Sequence, residues 1–159
     1  TTFFRARALE GAGSLDKAVE AYEALLKMKE GGWLRAQALL GEAQTLKQLK
    51  RFEEAARGYQ TVIEEFPQDN ALLIQARLGL AEVEEAQGLY ESAIKYYMLV
   101  AVLYNDPKLV PEALFKAGTL FEKQGKHAEA ANAYQEIVTK YPDHTLKQNA
   151  AERLKSLHN

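Results

Sequence analysis

Residues 112–142, EALFKAGTLFEKQGKHAEAANAYQEIVTKYP, decide how the rest of the chain is read. Ala113, Leu114, Ala117, Gly118, Leu120 and Phe121 recur at steps of three and four, which lines one side of an α-helix. Gln124-Gly125 ends that helix, because glycine enters the left-handed C-cap conformation without a Cβ clash. A second apolar stripe follows at once in Ala130, Ala131, Tyr134, Ile137, Val138 and Tyr141. Pro142 stops it by pushing the preceding residue out of helical geometry. The stretch is a helical hairpin.

Three near-copies precede it. Tyr22, Tyr59, Tyr97 and Tyr134 stand 37, 38 and 37 residues apart, and Ala18, Ala55, Ala93 and Ala130 keep the same steps. Further columns follow the period: Ala6, Ala43, Ala81 and Gly118; Leu25, Val62, Val100 and Ile137; and Gly13, Gly88 and Gly125, with Lys50 in the missing place. Leu34, Leu72, Leu109 and Leu146 carry it to the C-terminal end. A period of this length marks a repeated supersecondary unit that buries its apolar face only against its neighbours. The small columns let the two helices of each hairpin touch, and the tyrosines fill the wider gap beside them.

The pattern predicts helices near residues 2–12, 15–29, 33–49, 52–65, 71–87, 90–104, 110–124 and 127–140. Connections of two or three residues force antiparallel neighbours within each hairpin. A ninth helix, near 145–157, has no partner and suits a cap, since Lys147, Glu152, Arg153 and Lys155 give it a polar side. The expected fold is all-α: four hairpins, near 1–32, 33–70, 71–107 and 108–144, then the capping helix, in a single domain. The chain starts at Thr1 in mid-pattern, so a piece of a longer protein is expected.

Composition agrees with this reading and narrows function. Hydrophobic residues make up 47% and charged residues 26% of the 159, with a formal charge of −2. That charge gives no global field for nucleic acid, which is bound by basic domains. No apolar run approaches the ~18–20 residues of a membrane span. The absence of cysteine excludes disulfides and thiolate metal sites. His127, His144 and His158 lack metal-ligand spacing, and His127 shares the column of Leu15, Phe52 and Tyr90, which reads as packing. Glu53-Glu54, Glu64-Glu65 and Glu84-Glu85 are adjacent, so each pair points to different sides of a helix and not at one reacting atom. No phosphate loop or nucleophile arrangement is present, so neither an enzyme nor a cofactor is expected.

With Leu114, Ala117-Gly118, Phe121, Gly125, Ala130, Tyr134, Ile137 and Pro142, the fourth unit resembles the tetratricopeptide repeat. The other units match it less fully: Glu30 and Asn105 replace its proline and Lys50 its glycine. Endings such as Glu64-Glu65-Phe66-Pro67 and Thr139-Lys140-Tyr141-Pro142 are similar to those of bacterial cell-envelope repeats, which tilts the expected location toward the periplasm. The resemblance implies a right-handed superhelix whose first helices line a concave groove for a peptide or helical segment of a partner protein. On that alignment the groove holds Phe3, Phe4, Arg7 and Glu10; Gln37, Leu40, Gly41, Gln44 and Lys47; Gln75, Leu78, Gly79, Glu82 and Glu85; and Glu112, Phe115, Lys116, Thr119, Glu122 and Lys123. Phe3, Leu40, Leu78 and Phe115 form one apolar column, either a track for the partner or part of the core. The alternative is a self-associating structural module that stacks through exposed ends of the array. Trp33, after Gly31-Gly32, is expected to anchor the second hairpin.

Overall fold

The computed structural model describes residues 2–28 and 31–158, and its described residues form nine helices and no strands. They are α1 (Thr2–Gly11), α2 (Leu15–Lys27), α3 (Gly32–Gln48), α4 (Phe52–Glu65), α5 (Asn70–Ala86), α6 (Tyr90–Leu103), α7 (Leu109–Lys123), α8 (His127–Lys140) and α9 (Lys147–Leu157). The all-α hairpin fold predicted by the period is the fold observed. Residue 29, the expected end of the second helix, and Glu30 lie outside the described residues.

Each hairpin turns in the same way. Gly13, Gly88 and Gly125 take φ of 74°, 75° and 70°, and Lys50, the exception in that column, takes 59°. The hydrogen bonds around them match: Ser14 N–H to Leu9 O and Leu89 N–H to Glu84 O at 2.9 Å, with Arg51 N–H to Leu46 O and Lys126 N–H to Phe121 O also at 2.9 Å. This six-to-one bond closes the Schellman motif, which satisfies the last helical carbonyls only if one residue is left-handed. Lysine is forced there against its preference by the surrounding turn.

The chain divides into two compact units, Thr1–Val83 and Glu84–Asn159, with the division inside α5. In the first, Ala6, Ala18, Ala38, Ala43 and Ala55 are completely buried, and Tyr22 and Tyr59 fill the space beside them. In the second, Ala93, Ala113, Ala117 and Ala130 take the same part beside Tyr97 and Tyr134. These are the small columns of the sequence, and the close backbone approach they permit fixes how the first helices present their free sides. The capping helix α9 starts at Lys147 and not near 145, because His144 holds the turn before it. His144 Nδ1 accepts from Leu146 N–H at 3.1 Å, and its Nε2 lies 3.1 Å from Lys108 O. Only Ala150 of α9 is buried, as a polar cap requires.

Candidate functional site

The first helices of the first unit enclose a cavity of about 250 Å³. Arg7 and Glu10 reach it from α1, Gln37, Leu40, Gly41 and Gln44 from α3, and Gln75, Leu78, Gly79 and Glu82 from α5. All ten are groove positions read from the sequence. Tyr59 of α4 is the eleventh lining residue and was not among them.

Two of the lining positions have no side chain, and an aromatic ring takes the space beside each. A Cβ at Gly41 would lie 2.5 Å from Tyr22 Cζ, and one at Gly79 would lie 2.3 Å from Tyr59 Cε1. Tyr22 and Tyr59 thus each lie over the glycine of the next first helix, where a larger residue would displace the ring. In the second unit the same column holds Lys116 and Arg153. Lys116 Nζ lies 3.9 Å from a Glu85 oxygen, and Arg153 Nη1 lies 3.4 Å from a Glu122 oxygen. There the Tyr134 ring lies over Gly118 of its own hairpin, where a Cβ would come within 2.6 Å.

The tyrosine hydroxyls carry a second pattern. Tyr22 donates to Glu10 at 3.1 Å and Tyr97 to Glu85 at 2.7 Å, and Tyr134 donates to Glu122. Each acceptor is twelve residues earlier in its own hairpin. In the second hairpin that place is Lys47, which cannot accept, and Tyr59 donates to Gln44 Oε1 at 3.0 Å. Lys47 pairs with Glu82 on the next first helix. Burial raises the pKa of Tyr22, Tyr59 and Tyr134 above the ordinary phenol value. Nearby carboxylates add to this: Glu10 for Tyr22, Glu82 and Glu10 for Tyr59, and Glu122 for Tyr134. All three stay protonated donors.

The apolar column divides between surroundings. Phe3 and Leu40 are each 8% exposed, whereas Leu78 and Phe115 are half-buried. Leu40 and Leu78 line the cavity; Phe3 instead borders an apolar hollow of about 410 Å³ with Phe4, Leu25, Met28, Trp33 and Leu34. Phe115 packs on Tyr134, ring centroids 5.5 Å apart. Of the remaining second-unit positions, Lys116 is exposed, and Thr119 and Glu122 are half-buried. Trp33, expected to anchor, is 66% exposed and meets Phe3 edge-on at 5.9 Å. His127, expected to pack, is exposed.

One feature of the first unit went unread in the sequence. Glu42, in the column of the buried Leu80 and Ala117, is half-buried on α3. Burial pushes its carboxyl up to about 7, and the Glu23 and Glu54 charges add to the rise while Arg51 opposes it. The interruption of an apolar column by an acid was the available signal. Among the described residues no group of three or more acidic or histidine side chains could hold a metal ion.

Family profiles described as tetratricopeptide repeat match residues 4–70 and 112–144, more than half the chain between them. A TPR repeat-containing protein of Methanocaldococcus jannaschii is 35% identical over 68 residues, 43% of this chain and 12% of that protein. A tetratricopeptide repeat protein from Parabacteroides merdae superposes with a TM-score of 0.78 at 16% identity, over 99% of this chain and 59% of that one. The apo form of RapI gives 0.81 at 15% identity, over 98% of this chain and 46% of that one. The chain therefore spans less than two thirds of each of these proteins. With the hairpin period, the left-handed turn column and the small-residue contacts all in place, the chain belongs to the tetratricopeptide repeat family.

Proposed function

We propose that the chain acts as a single repeat domain that binds a peptide or helical segment of a partner protein in the groove of its first helices. Repeats of this family mediate protein–protein interaction, and one observation supports the groove in particular: the first-unit cavity of about 250 Å³ sets Leu40 and Leu78 among the polar Arg7, Gln37, Gln44 and Gln75. Apolar floor and polar rim are the usual division of labour in such grooves, the floor supplying affinity and the rim register. In the second unit, taken by itself, Glu85, Phe115, Lys116, Thr119 and Glu122 are the positions proposed to meet a partner. The similarity of Glu64–Pro67 and Thr139–Pro142 to cell-envelope repeats supports an envelope assembly as the partner's setting. The test is competition. A peptide selected against the chain should lose its binding on Leu78→Glu while helicity by circular dichroism is unchanged; undiminished binding removes the groove from the account.

Self-association is a second reading, favoured by a different observation. Phe4, Trp33 and Met28, at 69%, 66% and 59% exposed, surround the apolar hollow beside α1. Large exposed apolar patches mark interaction surfaces. Light scattering over a dilution series tests it: a constant monomer mass eliminates this reading, and a mass that falls on dilution and is lost in Trp33→Ser supports it.

A further inference from the structure

The outer side of α6, in the second unit, carries an apolar stripe that the repeat does not need. Ala93, Ile94, Tyr97 and Val100 form the buried side of this helix, and its spacing puts Met98, Leu99, Val102 and Leu103 on the opposite side. Val102 is 74% and Leu103 55% exposed, with Met98 and Leu99 half-buried. The other hairpins show what such positions ordinarily hold. Val102 shares its column with Lys27, Glu64 and Thr139, Met98 with Glu23, Gln60 and Gln135, and Leu103 with Met28, Glu65 and Lys140. Every member of the Val102 and Leu103 columns is exposed, so packing within the fold gives no reason for valine and leucine there. Met28, the other large apolar member, borders the α1 hollow.

The charges at the two ends of the stripe select its occupant. Lys95, on the same side of α6, is exposed and makes no ion pair among the described residues. Past the other end, Asp106 accepts from Lys108 N–H at 2.9 Å and Leu109 N–H at 2.7 Å, both through Oδ1, which leaves Oδ2 for a cation. The last carbonyls of α6 add partial negative charge at that end. Lys95 stands as many residues before the middle of the stripe as Asp106 stands after it. A second copy laid antiparallel about a two-fold axis therefore sets Met98 against Leu103 and Leu99 against Val102, and brings Lys95 of each chain to the negative end of the other. A parallel copy would bring like charges together. An anionic membrane fits poorly, since Lys95 is the one cation of α6. We propose that the outer side of α6 is a two-fold interface between copies of this chain, separate from both the groove and the α1 hollow. Two such stripes bury less than the ~1,600 Å² of a stable complex, so the dimer is transient, with a dissociation constant of about 100 μM.

Sedimentation equilibrium of the whole chain tests this from ~10 μM to ~1 mM, a range that brackets the expected constant. The average mass should climb from monomer toward dimer and no further. Val102→Glu, an acid in the column where Glu64 already stands, should stay monomeric throughout with an unchanged melting temperature. Lys95→Glu should raise the dissociation constant about tenfold at low salt, and added salt should weaken the wild-type dimer, because the end pairs are exposed. Trp33→Ser, beside the α1 hollow, should dimerise as the wild type does. The chain has no cysteine, so the register can be read covalently. On air oxidation, chains carrying Met98→Cys mixed with chains carrying Leu103→Cys should join to each other faster than either joins to itself. A constant monomer mass, a wild-type dimer in Val102→Glu or Lys95→Glu, a dimer lost in Trp33→Ser, or faster joining of like chains overturns the proposal.

Discussion

Tyr59 donates its phenolic hydrogen to Gln44 Oε1 at 3.0 Å, although Tyr22, Tyr97 and Tyr134 each reach a glutamate twelve residues before them. One substitution within the repeat, Lys47 in place of an acid, redirects that hydroxyl into the groove and frees a cation to pair with Glu82. The difference between hairpins is thus the place where architecture turns into a site.

The regular version of the contact can be measured in the second unit. Tyr97→Phe keeps the ring that fills the hairpin and removes only the hydroxyl bonded to Glu85 at 2.7 Å. Glu85 retains Lys116 at 3.9 Å, so no charge is stranded. Urea unfolding should show a loss of about 1 kcal/mol. A loss several times larger would mean that the hydroxyl organises more than this one acceptor.

Among the described residues, Lys50 is the one left-handed residue that is not glycine, with φ of 59°. Its Schellman bonds are intact, Lys50 N–H to Lys47 O at 3.0 Å and Arg51 N–H to Leu46 O at 2.9 Å, so the conformation is imposed by the turn. Lys50→Gly should stabilise the chain by about 1 kcal/mol, because the Cβ penalty exceeds the added freedom of the unfolded chain. Unchanged or reduced stability in thermal unfolding would contradict this.

Gly79→Ala tests the tyrosine-over-glycine contact. The new methyl would lie 2.3 Å from Tyr59 Cε1, so the ring must move and the cavity must change shape. A cost of about 1–3 kcal/mol is expected, as for overpacked cores. Gly31→Ala, with nothing within 4 Å, is the control and should cost far less.

Glu42 supplies a pH dependence. Its carboxyl is raised from the ordinary 4.5 to about 7 by burial and the Glu23 charge. The folded state therefore holds a proton that the unfolded state releases. Its stabilising effect is complete below pH 4.5 and is lost as pH rises through about 7. Glu42→Gln should unfold at higher urea than the wild type at pH 8 by about 1–2 kcal/mol, discounted for the partly solvated site, and the difference should vanish near pH 4. Equal stabilities across that range would show that Glu42 titrates normally.

The features that were legible in the sequence are those that every repeat must satisfy. Ala18, Ala55, Ala93 and Ala130 recur because helices touch there, and Gly13, Gly88 and Gly125 because the turn needs a left-handed residue, so their period revealed nine helices nearly to the residue. The α1, α3 and α5 positions that line the first-unit cavity were named from the resemblance to the repeat family. What stayed hidden depends on side-chain direction between repeats. Tyr22 and Tyr59 lean over Gly41 and Gly79 of the next first helix, whereas Tyr134 leans over Gly118 of its own hairpin, a choice that the tyrosine column alone does not record. Phe3 shares a column with Leu40 and Leu78, yet it borders the Trp33 hollow and not the cavity that they line.

The central claim is that the first-unit groove is the binding surface, and Leu78→Glu measures it most directly. Leu78 is half-buried in the cavity wall, and Val102, 74% exposed on α6, gives a matched acidic substitution outside it. The dissociation constant of a library-selected peptide should rise at least about a hundredfold in Leu78→Glu, through a desolvated charge in the groove, and stay within about twofold in Val102→Glu. Equal affinities of Leu78→Glu and wild type, with the peptide still bound, would contradict the account.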